Sequence, residues 1–272
     1  MDLNHHLMIN PNVPLKTLNI AIFTNGNIIG KYLLMRLKEV DINVKLVIFD
    51  RMTDFNNSKR RSILSYILSP FNVISNLLLG ILDNYNSSLN LEFKDFEYGN
   101  YCENILYVDN INEETTIEEL REHNIEISIL GGARIISREI IKEVKYGIIN
   151  LHPGILPKFR GIDVVYWTIW KESKLGWTIH YIDEYIDEGT IIKVGFLENH
   201  YKEYINSIKE LREKLMILSV EDLISSIINN LNLNATNIFE SSSINNHDSS
   251  YYTYMNPILK LITYFKYKIS PP

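Results

Sequence analysis

Short apolar runs that do not alternate with polar residues, each leading into a loop and a helical pattern, constrain this chain more than any other feature. LNIAIFT (18–24) ends in Asn25-Gly26-Asn27, and the next segment places Ile28, Leu33 or Leu34, and Leu37 on one helical face. VKLVIFD (44–50) is a second such run. The pattern resumes with ILYV (105–108), a helix around 116–123, IEISIL (125–130), a helix near 137–144 and GIIN (147–150). A strand covered on both faces needs no polar face, so it reads as a continuous apolar run, and strand–helix alternation pairs the strands in parallel. The expected fold class is α/β: an open, mostly parallel sheet with helices on both faces. With 272 residues, 46% of them hydrophobic, the chain is long enough to bury such a core and carry a small appendage.

Two regions depart from the repeat. Ile63 to Leu82 carries no charge and follows Lys59, Arg60 and Arg61. A membrane span takes about 20 apolar residues; this stretch is interrupted by Ser65, Ser69, Pro70, Asn72, Ser75 and Asn76. Its apolar positions, among them Ile67, Phe71, Ile74, Leu78 and Ile81, have helical spacing, with Pro70 splitting the pattern into two pieces. Packing on the body or in a homodimer is the first expectation; an interfacial membrane contact through 59–82 and a true span are the alternatives. After Glu198, Ile205 to Leu231 reads as an amphipathic helix or helix pair, and 232–250 as an Asn- and Ser-rich loop. The aromatic, basic end YYTYMNPILKLITYFKYK is either a docking tail or a partner surface. The expected division is 18–200 as the main domain, with a helical insertion at about 55–100, and 201–272 as a C-terminal extension.

Net charge is 27 minus 33, or −6, which speaks against a broad electrostatic grip on nucleic acid. Cys102 is the single cysteine, which suits a reducing compartment. The first residues show no charged start followed by an apolar run, so a cytoplasmic location is expected. The histidines have no metal-ligand spacing.

The chemistry concentrates in 147–192. Asn150 and His152 are two apart at a strand end, so in extended chain they point the same way, and Pro153 restricts the backbone beyond them. Asp187 stands in a Glu-Tyr-Ile-Asp-Glu-Gly turn between two apolar strands. An amide, an imidazole and a carboxylate suit acyl transfer between amines: a donor for a developing oxyanion, a group titrating near neutrality to move protons, and an anion to orient it. Taken from spacing alone, the alternative of a structural His and a turn Asp stays open.

These residues resemble the folate-dependent formyltransferases, a family that includes glycinamide ribonucleotide, methionyl-tRNA and sugar N-formyltransferases. The resemblance rests on Asn150-Leu151-His152-Pro153-Gly154-Ile155-Leu156-Pro157 followed by Arg160-Gly161, and on Gly176, Thr178, His180, Asp187 and Gly189 in register. It implies a Rossmann-like fold, 10-formyltetrahydrofolate as formyl donor, no metal, and Asn150, His152 and Asp187 as the catalytic residues. It further implies a pterin pocket lined by backbone at Arg134, Ile135 and Ile136 and by Glu184, Tyr185 and Ile186, with His180 as a supporting residue. The loop Thr24-Asn25-Gly26-Asn27 is neither the Gly- and Ser-rich phosphate loop of the ribonucleotide enzymes nor the Gly-Thr-Pro pattern of the tRNA enzymes. A nucleotide-linked amino sugar for surface polysaccharide is therefore the expected acceptor, with Lys158, Arg160, Tyr166 and Trp167 as candidate contacts; for Tyr166 and Trp167, helix packing is the alternative. A methionyl-tRNA or glycinamide ribonucleotide formyltransferase-like enzyme is the alternative; a catalytically idle folate- or nucleotide-binding protein, or a membrane-associated scaffold on the same fold, is the competing class.

Overall fold

A computed structural model describes residues 18–51, 70–83, 93–198, 207–232 and 249–269. Seven strands form one sheet: β1 (Ile20–Thr24), β2 (Val44–Asp50), β3 (Ile105–Val108), β4 (Ile127–Leu130), β5 (Ile148–His152), β7 (Gly176–Tyr181) and β8 (Ile191–Phe196). A two-residue β6 (Arg160–Gly161) pairs in parallel with β9 (Tyr251–Tyr252). The helices are α1 (Ile28–Glu39), α2 (Pro70–Leu82), α3 (Glu114–Glu122), α4 (Arg138–Glu143), α5 (Val164–Trp170), α6 (Ile208–Asn232) and α7 (Pro257–Ile269).

The sheet order is β3-β2-β1-β4-β5-β7-β8, parallel through β5 and antiparallel beyond it. This is the mostly parallel Rossmann-like arrangement expected from the sequence, with the order reversing between β1 and β4, where such sheets open a crevice at their carboxyl ends. The all-apolar strands are covered twice because their alternate side chains feed two cores. Ile20 and Ile22 of β1 join Leu33 and Leu37 of α1, Ile169 of α5 and Leu211 and Leu215 of α6. Ala21 and Phe23 point the other way, onto Leu120 of α3 and Ile140 of α4. Each such side chain contributes roughly 1.5–3 kcal/mol by leaving water.

Local chemistry starts the helices where the sequence places them. Asn27 caps α1 by accepting from Gly30 N at 3.0 Å, and Ser137 caps α4. The basic triplet Lys59–Arg61, the Ile63–Ser69 half of the expected insertion and most of the 232–250 loop lie outside the described residues.

The described residues beyond 200 pack into the body. α6 is a single helix whose Leu211, Leu215, Leu223 and Ile227 sit in the same core as β1 and β7. Its start is capped by Asp83, 1% exposed, which accepts from Ile208 N at 2.9 Å and from the Tyr166 hydroxyl at 2.8 Å. α7 packs against α2 and α5. Among the described residues, no helix is long and apolar enough to cross a membrane.

Candidate active site

β5 runs two residues past the expected end at Asn150, through His152. The antiparallel register with β7 sets Asn150 opposite His180 and His152 opposite Thr178, so these four side chains share one face of the sheet. Thr178 fixes the turn after His152: its hydroxyl donates to Gly154 O at 2.8 Å and accepts from Leu156 N at 3.1 Å. The loop between β7 and β8 returns over this face and delivers Asp187, which holds φ at +53°. Asp187 Oδ2 accepts from Gly161 N at 2.8 Å, lies 3.6 Å from His152 Nδ1, and its Oδ1 lies 3.7 Å from His180 Nε2. The last two separations are too long for direct hydrogen bonds and short enough for strong charge coupling.

The hydrogen-bond network assigns each proton. His180 Nδ1 faces Tyr181 O at 2.8 Å, an acceptor only, so Nδ1 carries the hydrogen and Nε2 a lone pair. The group 3.1 Å from that lone pair must then be the amide nitrogen of Asn150. Asn150 is held with one N–H on His180, leaving its second N–H and its carbonyl for a ligand. His180 is fully buried, and burial, reinforced by the nearby His152 ring and opposed by Asp187, pushes its pKa down to about 4. It therefore stays neutral, and the Asn150 amide stays oriented, throughout the physiological range. His152 Nε2 donates to Phe159 O at 2.7 Å, so Nδ1, on the Asp187 side, is the nitrogen free to exchange a proton.

Two loops at the strand ends flank these groups. Gly30 and Gly131 let the β1–α1 and β4–α4 loops touch: a Cβ on Gly131 would stand 2.7 Å from Gly30 Cα. The Arg134 side chain turns away from the site onto the buried Asp50, at 2.6 and 2.8 Å. The Ile136 side chain is buried in the core, while Ile135 is 68% exposed and its carbonyl accepts from Asn112. Across from it, Tyr185 is 66% exposed and Glu184 pairs with Arg138 at 3.1 Å, tying the two loops together. The Ile186 carbonyl accepts from Arg160 Nε at 3.0 Å. The two loops, joined by this ion pair, each present an exposed side chain, Ile135 on one and Tyr185 on the other.

The four residues proposed from sequence as acceptor contacts are placed differently. The Arg160 guanidinium is a strut, bonded to Ile186 O, Ser249 Oγ and Glu188. The Tyr166 hydroxyl is committed to Asp83, and Trp167 stacks on Tyr252 at 5.0 Å and donates to Thr253 O at 2.9 Å. Lys158 alone is exposed, with its ammonium on Ser173 Oγ. Trp167 thus meets the C-terminal strand, while Tyr166 faces Asp83 and lies under Lys260.

That strand is the part of the site the sequence does not announce. Arg160 N donates to Ser250 O and Ile162 N to Tyr252 O, while Tyr252 stacks on Phe159 at 5.5 Å. Residues 249–252 thereby hold Phe159, whose carbonyl binds His152, and Gly161, whose N–H binds Asp187. Gly161 sits at φ +95°, and a Cβ there would meet Tyr252 O at 2.1 Å.

A family model described as formyl transferase matches residues 82–219, half of the 272-residue chain. Phosphoribosylglycinamide formyltransferase of Bacillus subtilis is 36% identical over 105 residues, which is 38% of this chain and 54% of that protein. Methionyl-tRNA formyltransferase of Fusobacterium nucleatum is 27% identical over 171 residues, 61% of this chain and 51% of that protein. The solved structure of a sugar N-formyltransferase from a Shewanella species superposes with a TM-score of 0.55 at 14% identity, covering 90% of this chain and 87% of that one. The chain thus spans about half the length of the curated relatives it matches, and the structural likeness is one of fold.

Proposed function

The chain belongs to the formyl transferase family, and on that premise we propose that it moves a formyl group from 10-formyltetrahydrofolate to the amine of a small acceptor, a nucleotide-linked amino sugar. The observation that carries this reading is the convergence of Asn150, His152 and Asp187 on one face, with His152 Nδ1 3.6 Å from the carboxylate and Nε2 already taken by Phe159.

When bound, the donor supplies a nitrogen-linked formyl carbon open to attack by an amine. Around that carbon the chain's groups divide the work. The free N–H of Asn150 and the Nδ1–H of protonated His152 are positioned to donate to the oxygen that gains charge. The Asp187 carboxylate balances the imidazolium, and Nδ1 is the nitrogen that can pass a proton between the incoming and departing amines. Ile135 and Tyr185 supply the apolar contacts for the donor ring.

For the acceptor, a net charge of −6 disfavours the extended phosphate backbone of a tRNA. The likeness in fold to a sugar N-formyltransferase covers 90% of the chain. A second reading, glycinamide ribonucleotide or methionyl-tRNA as acceptor, is favoured by the curated relatives. The test is to incubate the protein with 10-formyltetrahydrofolate and a panel of nucleotide-linked amino sugars, with glycinamide ribonucleotide and methionyl-tRNA in competition, and to follow the formyl mass gain. Faster formylation of either competitor than of every sugar refutes the acceptor; no formylation of anything refutes the activity.

A further inference from the structure

Away from the catalytic end, α2 and α7 lie side by side, joined by the Tyr264 hydroxyl donating to Leu82 O at 2.8 Å. Their inner faces are satisfied: Ser75 and Leu79 of α2 and Thr263, Tyr264 and Tyr267 of α7 are buried. Their outer faces are not. Phe71, Leu77 and Ile81 on α2 are 69%, 65% and 64% exposed, and Ile262, Phe265 and Ile269 on α7 are 49%, 48% and 84% exposed. Single exposed apolar side chains are ordinary, but a run of them along two adjacent helices marks a surface that meets something apolar.

Charge indicates what that is. Neither helix contains an Asp or Glu, while α7 carries Lys260, Lys266 and Lys268 in a chain of net charge −6, and Lys59, Arg60 and Arg61 precede α2 in the sequence. Lys260 and Lys266 pair inward with Asp163 and Glu172, whereas Lys268 is exposed on the last turn, over the Tyr264 ring. A two-fold contact with a second copy would set the exposed Lys268 against the same two helices, which carry no Asp or Glu. A bilayer with anionic headgroups supplies both an apolar layer and negative charge. Because α2 already buries one face, Ser75 and Leu79, on the protein, only its outer face is open to such a layer, which suits a helix lying in the interface.

We propose that α2 and α7 together form a docking face for an anionic lipid bilayer, lying in the headgroup plane without crossing it. The inference is independent of the formyl-transfer reading, and its test uses no substrate. The purified full chain is sedimented with vesicles of phosphatidylglycerol and phosphatidylcholine in equal parts, and with phosphatidylcholine alone. The mixed vesicles should carry the protein down, the neutral ones about tenfold less, and added salt should release it. Ile262→Asp with Phe265→Asp should cut binding at least about tenfold, and Lys268→Glu should weaken it; all three positions are exposed, so the melting temperature should hold. Failure to pellet with the anionic vesicles overturns the proposal. So does a dimer in sedimentation velocity that the double variant dissociates while vesicle binding is absent, because a second copy then covers the face.

Discussion

Replacing His180 by Gln tests the core of the site without touching a group that meets substrate. In the folded chain His180 resists protonation down to about pH 4, because burial penalises its charged form and His152 stands nearby; unfolded, it takes up a proton below about 6.5. Between those values the unfolded state binds more protons, so stability is lost as pH falls through that window. A gap of about 2.5 pH units at about 1.36 kcal/mol each amounts to roughly 3 kcal/mol, of which about 2 kcal/mol is gone by pH 5. Gln cannot be protonated in this range, so His180→Gln should show a pH dependence flatter by that amount between pH 6.5 and 4. Carboxylates remote from the site are common to both proteins and cancel in the difference; Asp187, 3.7 Å from His180, does not. Urea unfolding followed by circular dichroism at pH 8, 6, 5 and 4 measures it. Superimposable pH dependences for the two proteins would refute both the buried neutral imidazole and the assignment of the Asn150 amide built on it.

Three further outcomes follow from the same geometry. Asp187→Asn keeps an oxygen to accept from Gly161 N but removes the charge facing His152, so turnover should fall at least about 100-fold while urea stability changes by about 1 kcal/mol or less; a rate near that of the parent protein contradicts the role given to the carboxylate. Gly161→Ala strains a backbone at φ +95° and drives a Cβ into Tyr252 O, so it should cost about 1–3 kcal/mol and lower kcat more than it raises KM, a split visible in steady-state kinetics. Asp83→Ala removes the acceptor for Tyr166 and for the start of α6 and should destabilise by about 2–4 kcal/mol in thermal unfolding.

Much of the molecule is decided by short stretches of sequence. The strands and helices of the parallel half appear where apolar runs and helical periodicity place them, because burial on both faces of a strand and on one face of a helix is a local pattern. The shared direction of Asn150 and His152 is equally local, a matter of two-residue spacing in extended chain, and the turn between β7 and β8 marks where Asp187 leaves the sheet. What needed the tertiary structure is every relation between segments far apart in the chain. The pairing of Asn150 with His180 depends on a register set across 30 residues, and it alone orients the amide. A polar or aromatic side chain carries no label for its partner in sequence, and only the fold shows that Arg160, Tyr166 and Trp167 meet Ser249, Asp83 and Tyr252. The 201–272 segment looks separable by composition, yet α6 completes the core and β9 braces the site, because packing against β1, β7 and Phe159 is a property of surfaces that exist only after the sheet has formed.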